Sequence, residues 1–563
     1  MNNETSKKRF LSGVTVLTLS TVIVKIIGLV YKIPMMHILG AEGMGYFNSA
    51  YELYTLFFVI ATAGLPVAVS VLISENIAKG RLRNVKKIYR VSFSLFFVLG
   101  LVGALVMSFF AGQLASFVGS PSANRCILLI APTVFFVSVA SAVRGYFQGN
   151  QNMMPTAVSQ VLEAIGKLTL GVLLGGWAVR AGYSSATAAA FAVIGLAVGS
   201  AISMLYLLVS KARDRVSIPS FSTELSKDAT RCILVRLLTL AIPVTISASL
   251  SGLTRVVDMT LMIRRLSDIG FSQSSATALF GSYSTLAVPI YHLPSSLIVG
   301  IAVSLVPGLT QAVEAKEKER EIHLVNTAFR LCAFLSIPCA FGISVFSRPI
   351  LQLLFHGQDE AISVCTPLLS ALGLSVFSSC LLGVTNSVLQ AHKRVAYPIA
   401  SMAVGTLVKM VSAYILLGIP EIGIMGAPIS TFLCNLVSVG MNFYFMEKCS
   451  AFSRRLHGVF FRPFLASVIA ILVSLGSYVL LSNGLSETAS FLISAMICVI
   501  CYLPVAMLFG AVEAEDMLFL PIRKAPKGIL QRQLNNMDDK KRGKSSGKQK
   551  DHQQLAEKRN VLL

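Results

Sequence analysis

LSGVTVLTLSTVIVKIIGLVYKI at residues 11–33 and FNSAYELYTLFFVIATAGLPVAVSVLI at residues 47–73 open a chain that repeats this pattern almost to its end. A helix crosses the hydrocarbon core of a bilayer with about 20 mostly apolar residues, and each stretch meets that length. Lys7, Lys8 and Arg9 precede the first stretch as they would in a signal peptide. The apolar run continues to Ile33 without a small-residue cleavage site and further spans follow, so it reads as a retained first helix.

Working outward, comparable windows fall near 90–112, 125–147, 156–178, 187–210, 236–258, 277–305, 327–346, 363–391, 395–417, 425–446, 463–482 and 489–511. The expected fold is all-α: a polytopic membrane protein of about fourteen transmembrane helices. Composition agrees, with 54% apolar and 13% charged residues and a mean hydropathy of +0.72 in 563 residues, more than a water-soluble fold could hide. Short loops leave no room for a soluble catalytic domain. The longest central loop, 306–326, reads as a charged linker.

An even number of spans puts both termini on one side, and the distribution of Lys and Arg says which. With both termini cytoplasmic, 38 of the 48 Lys and Arg fall on the cytoplasmic side. The net charge of +22 is thereby explained by anionic membrane lipids as partners, and nucleic acid is not expected. The expected place is the cytoplasmic membrane. The segment 512–563 reads as a basic, disordered cytoplasmic tail.

Shifting the chain by 234 residues lays Val67-Ala68-Val69-Ser70 on Ile301-Ala302-Val303-Ser304, and a shift of 242 lays Gln148 on Gln390 and Lys167 on Lys409. Each shift equals six spans, so the repeats run parallel and imply two six-helix lobes facing a central cavity. The expected organisation is a cytoplasmic N-terminus at 1–10, an N-lobe at 11–210, a cytoplasmic linker at 211–235, a C-lobe at 236–446, an appended helix pair at 463–511, and the tail. Gly64-Leu65-Pro66, Pro289, Pro294 and Pro307 are expected to bend the second and eighth spans.

An ionisable residue inside a span is costly and faces a partner or a cavity. Lys25 lies in the middle of the first span, with Lys32 seven residues on and on roughly the same face. Glu52 is in the second span. Glu163 and Lys167, at i and i+4 in the fifth, are spaced to pair with each other, as are Arg255 and Asp258, at i and i+3 in the seventh. Lys409 has no acidic residue in its own span, so its partner must come from elsewhere. Lys25, Arg255, Lys409, Lys167 and Lys32 are the expected substrate-binding residues, and Glu52, Glu163 and Asp258 the candidates for ion pairing or cation coupling. Surplus positive charge suits an anionic substrate such as a pyrophosphate.

Neither a catalytic motif nor a metal or cofactor site is expected. No G-x-x-x-x-G-K-[ST] or H-E-x-x-H occurs, the G-K-S-S-G at 543–547 lies in the basic tail after no strand and so is no nucleophile elbow, and the ten cysteines lie mostly in apolar stretches as small core residues. The chain is not expected to be an enzyme.

SAVRGYFQGNQNM at 141–153, Pro155 and SQVLE at 159–163 resemble the stage V sporulation protein B family. So do the K-x-x-G from Lys25 to Gly28, the run from Ile33-Pro34 through Gly40-Ala41-Glu42-Gly43 to Phe47, and GLPVAVS at 64–70. The likeness covers about residues 10–510. That family is similar to the lipid II flippases, within the multidrug/oligosaccharidyl-lipid/polysaccharide exporter superfamily.

The resemblance implies fourteen helices in two lobes. It also implies flipping of an undecaprenyl-pyrophosphate-linked saccharide, a peptidoglycan precursor for spore cortex, with cell-wall synthesis enzymes as possible partners. Lys25 matches a basic residue of the flippases' first helix that meets the pyrophosphate. Tyr31 and Lys32 stand where those flippases carry an Arg-Asp pair, and Asp258 matches an acidic residue of the seventh helix. The alternatives are a cation-coupled multidrug exporter of the same fold and a non-transporting membrane scaffold in sporulation or wall assembly.

Overall fold

The computed structural model describes residues 3–214, 230–449 and 457–511. Every regular element among them is helical. In chain order they are α1 (Asn3–Thr62), α2 (Leu65–Ala78), α3 (Leu82–Phe109), α4 (Ala111–Phe117), α5 (Asn124–Gly149), α6 (Met154–Arg180), α7 (Ser185–Arg213), α8 (Thr230–Asp268) and α9 (Gln273–Ser282). There follow α10 (Val288–Glu314), α11 (Lys318–Val345), α12 (Ser347–Leu354), α13 (Asp359–Ala391), α14 (Ala396–Leu416), α15 (Gly426–Cys449), α16 (His457–Ser482) and α17 (Glu487–Leu508). A bilayer interior offers backbone groups no water, and helices satisfy them within the segment.

Twelve stretches among the described residues are long and apolar enough to cross a membrane. The first, Ser20–Ala78, has 59 residues, about 88 Å of helix against a core of about 30 Å. It crosses twice because α1 breaks at Gly40, whose φ of 67° and ψ of −178° are open to glycine and strained for other residues. Sixteen residues of straight helix would hold Tyr31 and Phe47 about 24 Å apart. Their ring centroids are 5.9 Å apart, so α1 is a helical hairpin. Counting it twice and adding the apolar helical run Gln273–Glu314 brings the spans to the expected fourteen.

One local expectation is corrected. The segment 306–326 is not a loop: α10 runs to Glu314 and α11 starts at Lys318. Arg144 lies inside α5, within the span expected at 125–147, and is buried. The bend at Gly64-Leu65-Pro66 does break the helix, between Thr62 and Leu65. In the eighth span the irregularity lies at Tyr283–Ala287, a π turn just before Pro289. The tail at 512–563 and most of the 211–235 linker lie outside the described residues.

Backbone contacts divide the chain into two compact units. The first takes in Met1–Ser295, Ala340–Leu382 and Arg394–Phe445. Its tightest helix pair is α6 with α7, which approach through glycines. A Cβ on Gly195 would lie 2.2 Å from the Gly171 nitrogen, and one on Gly199 would lie 2.8 Å from the Glu163 carbonyl oxygen. Small residues let helix backbones touch where lipid provides no hydrophobic drive. This approach also brings Ser200 and Ser203 of α7 against Glu163 and Arg144.

The second unit comprises Ser296–Cys339, Gly383–Lys393 and the chain from Met446 on. There α16 and α17 form an antiparallel pair in which the Ser474 hydroxyl donates to the Ser494 carbonyl at 2.7 Å. Phe334, Ala466, Ala470, Tyr502 and Ala506 form a small core, with the Tyr502 hydroxyl donating to the Phe334 carbonyl at 2.7 Å. His392 lies 3.0 Å from the Glu321 carboxylate, tying the end of α13 to the start of α11.

Gly195→Ala should cost about 1–3 kcal/mol, because neither backbone can retreat without opening the whole α6–α7 contact. Gly176→Ala is the control, since its Cβ would meet only Ile38 Cδ1 at 3.8 Å. Thermal unfolding of the detergent-purified variants should show a clear loss for the first and little change for the second.

Candidate functional site

A cavity of about 310 Å³ opens inside the first unit. Its charged lining comes from α1, α8 and α14, and its aromatic and polar lining from the π turn, α10, α13 and α15. Glu52, Arg255, Asp258, His292 and Lys409 all border it, with Tyr283, Ser284, Tyr291 and Asn435 around them.

The pairings differ from those that sequence spacing suggests. Arg255 and Asp258 do not pair within α8. Arg255 donates through Nε to Glu52 of α1 at 3.0 Å, and Asp258 accepts from Lys409 of α14. Residues one helical turn apart share a face, and here that face meets two different helices, each offering a better-placed opposite charge. Lys409 thus takes its partner from another helix. The second carboxylate oxygen of Asp258, Oδ1, is buried and meets no donor among the described residues.

Glu163 and Lys167 do not pair either. Glu163 accepts from Arg144 Nη2 at 2.9 Å and from the Ser200 hydroxyl at 3.4 Å. Arg144 also donates to Ser159 at 3.0 Å and Ser203 at 3.0 Å, so its planar fork ties three partners together. Lys167 lies instead over aromatic rings of α1, 4.5 Å from the Tyr51 centroid, 4.8 Å from Tyr31 and 5.9 Å from Phe47. Cation–π contacts of this kind are worth about 0.5–2 kcal/mol. Neither Lys167 nor Glu163 lines the cavity.

Lys32 donates to the Ser284 carbonyl at 2.7 Å, at the cavity edge. Lys25 is exposed and does not line the cavity. The expected surplus of cations therefore does not come from the lining groups themselves, where Arg255 and Lys409 are matched by Glu52 and Asp258. Lys32 adds a cation at the margin.

Arg255 is the group best disposed toward a ligand. Its side chain is 42% exposed, only Nε is engaged, and no acceptor among the described residues takes its terminal nitrogens. Such a fork matches the paired oxygens of a phosphate. His292, exposed to the same space, escaped the sequence reading because a lone histidine in an apolar run has no periodic or motif signal. Tyr291 and Asn435, joined at 2.9 Å, escaped it because their contact spans 144 residues. Among the described residues no group of His, Cys, Asp and Glu could hold a metal ion.

A family profile described as polysaccharide biosynthesis protein matches residues 10–313, and one described as MatE matches 282–415. Stage V sporulation protein B of Bacillus subtilis (strain 168) is 26% identical over 427 residues, covering 76% of this chain and 81% of that protein. Lipid II flippase MurJ of the same strain is 28% identical over 476 residues, covering 80% and 84%. Among solved structures, a lipid II flippase MurJ in an inward closed conformation superposes with a TM-score of 0.67 at 17% identity, over 89% of this chain and 99% of that one. An inward-facing multidrug resistance MATE family transporter of the MOP superfamily gives 0.61 at 17% identity, over 75% and 97%. At such identity the structural likeness speaks for the fold: a polytopic helical membrane architecture shared by flippases and exporters. With the first profile spanning more than half of its length, the chain belongs to the polysaccharide biosynthesis protein family.

Proposed function

We propose that the protein flips an undecaprenyl-pyrophosphate-linked saccharide, a peptidoglycan precursor, across the cytoplasmic membrane by alternating access. The observation that carries this reading is the half-exposed Arg255 fork in the cavity, anchored by Glu52 through Nε with its terminal nitrogens open. An anionic diphosphate is the ligand such a fork binds best, and Lys409, Lys32 and Lys25 add positive charge around it. Lys167, which sits in its aromatic box, contributes at most at a distance. The likeness to a lipid II flippase supports the same class of cargo. Two lobes at 11–210 and 236–446, rocking about the cavity, would expose it to each leaflet in turn, with both termini cytoplasmic.

The two carboxylates of the cavity weigh against the cation-coupled drug exporter. Glu52 and Asp258 each already hold a guanidinium or an ammonium. A dissociable cation would have to displace a tethered one.

The deciding experiment is outer-leaflet accessibility of lipid-linked precursor in cells depleted of other flippases. Wild type should restore it. Arg255→Ala should lose about 1.5–3 kcal/mol of charged hydrogen bonding, a roughly tenfold to hundredfold drop in rate at low precursor, with Arg255→Lys intermediate because an ammonium lacks the fork. If wild type restores nothing, the cargo is not this lipid, and drug export or a scaffold role takes its place.

Lys409→Ala separates structural from transport effects. It leaves Asp258 charged and unpaired, at a cost of about 3–5 kcal/mol, whereas Lys409→Met with Asp258→Leu should recover most of the thermal stability without recovering transport. For topology, alkaline phosphatase fused at either terminus should be inactive and green fluorescent protein at either should fluoresce. Active phosphatase at one end would reverse the assignment.

A further inference from the structure

The π turn Tyr283–Ala287 has a cause in the sequence and leaves a mark on the site. Val288 N–H reaches back five residues to the Tyr283 carbonyl. The next donor in that pattern would serve Ser284, and it belongs to Pro289, which has no N–H. Ser284 O takes the Lys32 ammonium instead, at 2.7 Å. Lys32 stands on the first arm of the α1 hairpin. From the second arm, Asn48 Nδ2 donates to both the Ser284 and Thr285 hydroxyls at 2.8 Å.

Both arms are thus fastened to one turn, and beyond it the Gly40 end of α1 is shut against α9. A Cβ on Gly45 would lie 2.2 Å from the Thr277 carbonyl oxygen, and one on Gly281 would lie 2.1 Å from that of Ala41. Thr277 is fully buried there. Ser284 also borders the cavity that holds Arg255, so the fastening is in reach of whatever enters it.

We propose that Lys32 is a ligand-released latch: its ammonium, capping the carbonyl that Pro289 leaves open, holds the Gly40 end closed, and a phosphate or diphosphate headgroup entering the cavity draws it away. This rests on the anionic-cargo reading above. A neutral carbonyl competes poorly for an ammonium against phosphate oxygens, which add the attraction of a full opposite charge to the hydrogen bond. Once Lys32 has moved, Ser284 O is a half-buried acceptor that has lost its donor, and the closed turn loses its advantage over an open one. The headgroup therefore interacts differently with the closed and open forms, which is what shifting their equilibrium requires. Lys32 is a positioning residue in this scheme, and Arg255 the primary ligand.

The test is maleimide labelling of Thr277→Cys protein in nanodiscs, corrected for the labelling of protein that retains Thr277. Farnesyl diphosphate serves as the lipid probe, inorganic pyrophosphate as the free headgroup and farnesol as the uncharged control. Labelling should be slow without ligand and at least fivefold faster with farnesyl diphosphate. Farnesol should change nothing, and pyrophosphate should act if the headgroup alone suffices.

Lys32→Met should label at the fast rate without ligand and gain nothing from it, while Lys32→Arg keeps the ligand dependence. Pro289→Ala returns a backbone donor, so adding it to Lys32→Met should slow labelling back toward wild type, an effect that loss of packing alone would not produce. A Lys32→Met rate equal to wild type, or no rescue by Pro289→Ala, overturns the latch. If farnesyl diphosphate binds by thermal shift but leaves the wild-type rate unchanged, the release step falls. If it does not bind at all, it is the cargo reading that fails.

Discussion

Inside a bilayer there is no water to take an unsatisfied hydrogen bond or to solvate a charge, so every polar group in these spans must find its partner in the protein or in a cavity. That constraint accounts for the helices, which pair their own backbones. It accounts equally for the side chains between them. Glu52 with Arg255, Asp258 with Lys409, and Glu163 with Arg144 are all contacts between different helices. Even Lys167, which meets no carboxylate directly, is held by the faces of aromatic rings.

The same constraint explains where the structure is open to a ligand. The network of Arg144 with Glu163, Ser159 and Ser203 is built from protein partners away from the cavity, and it fixes α5, α6 and α7 together. Arg255 is different, with one donor engaged and the rest facing the cavity. Ser284 lies between these cases: a proline removed its helical donor, and a lysine from another element supplies one. Groups held by borrowed partners are those that a competing ligand can rearrange.

Close approach is the other requirement, and it comes from glycine. Gly40 turns α1 back on itself. Gly195 and Gly199 bring α6 and α7 into backbone contact, which is why Ser200 reaches Glu163. Gly45 and Gly281 do the same between α1 and α9. Rigid backbone contacts of this kind leave a small number of discrete arrangements.

Partition into a membrane is a sum of local terms over about 20 residues, so the amino-acid sequence by itself determined the helical class, the fourteen spans, and the residues whose charge needed an explanation. Lys409 is a clear case: the absence of an acid in its own span already required a partner from outside. Which partner it was, the sequence left open, because Asp258 lies 151 residues away in the chain. Glu163 with Lys167 and Arg255 with Asp258 show the limit from the other side. Their spacing permits pairing along one helix, yet a neighbouring helix presents a better-placed group to three of the four and aromatic rings to the other. Tertiary structure alone decided the pairings, the cavity and the capped carbonyl at Ser284, since each depends on which helix faces meet, and that is settled by packing over the whole unit.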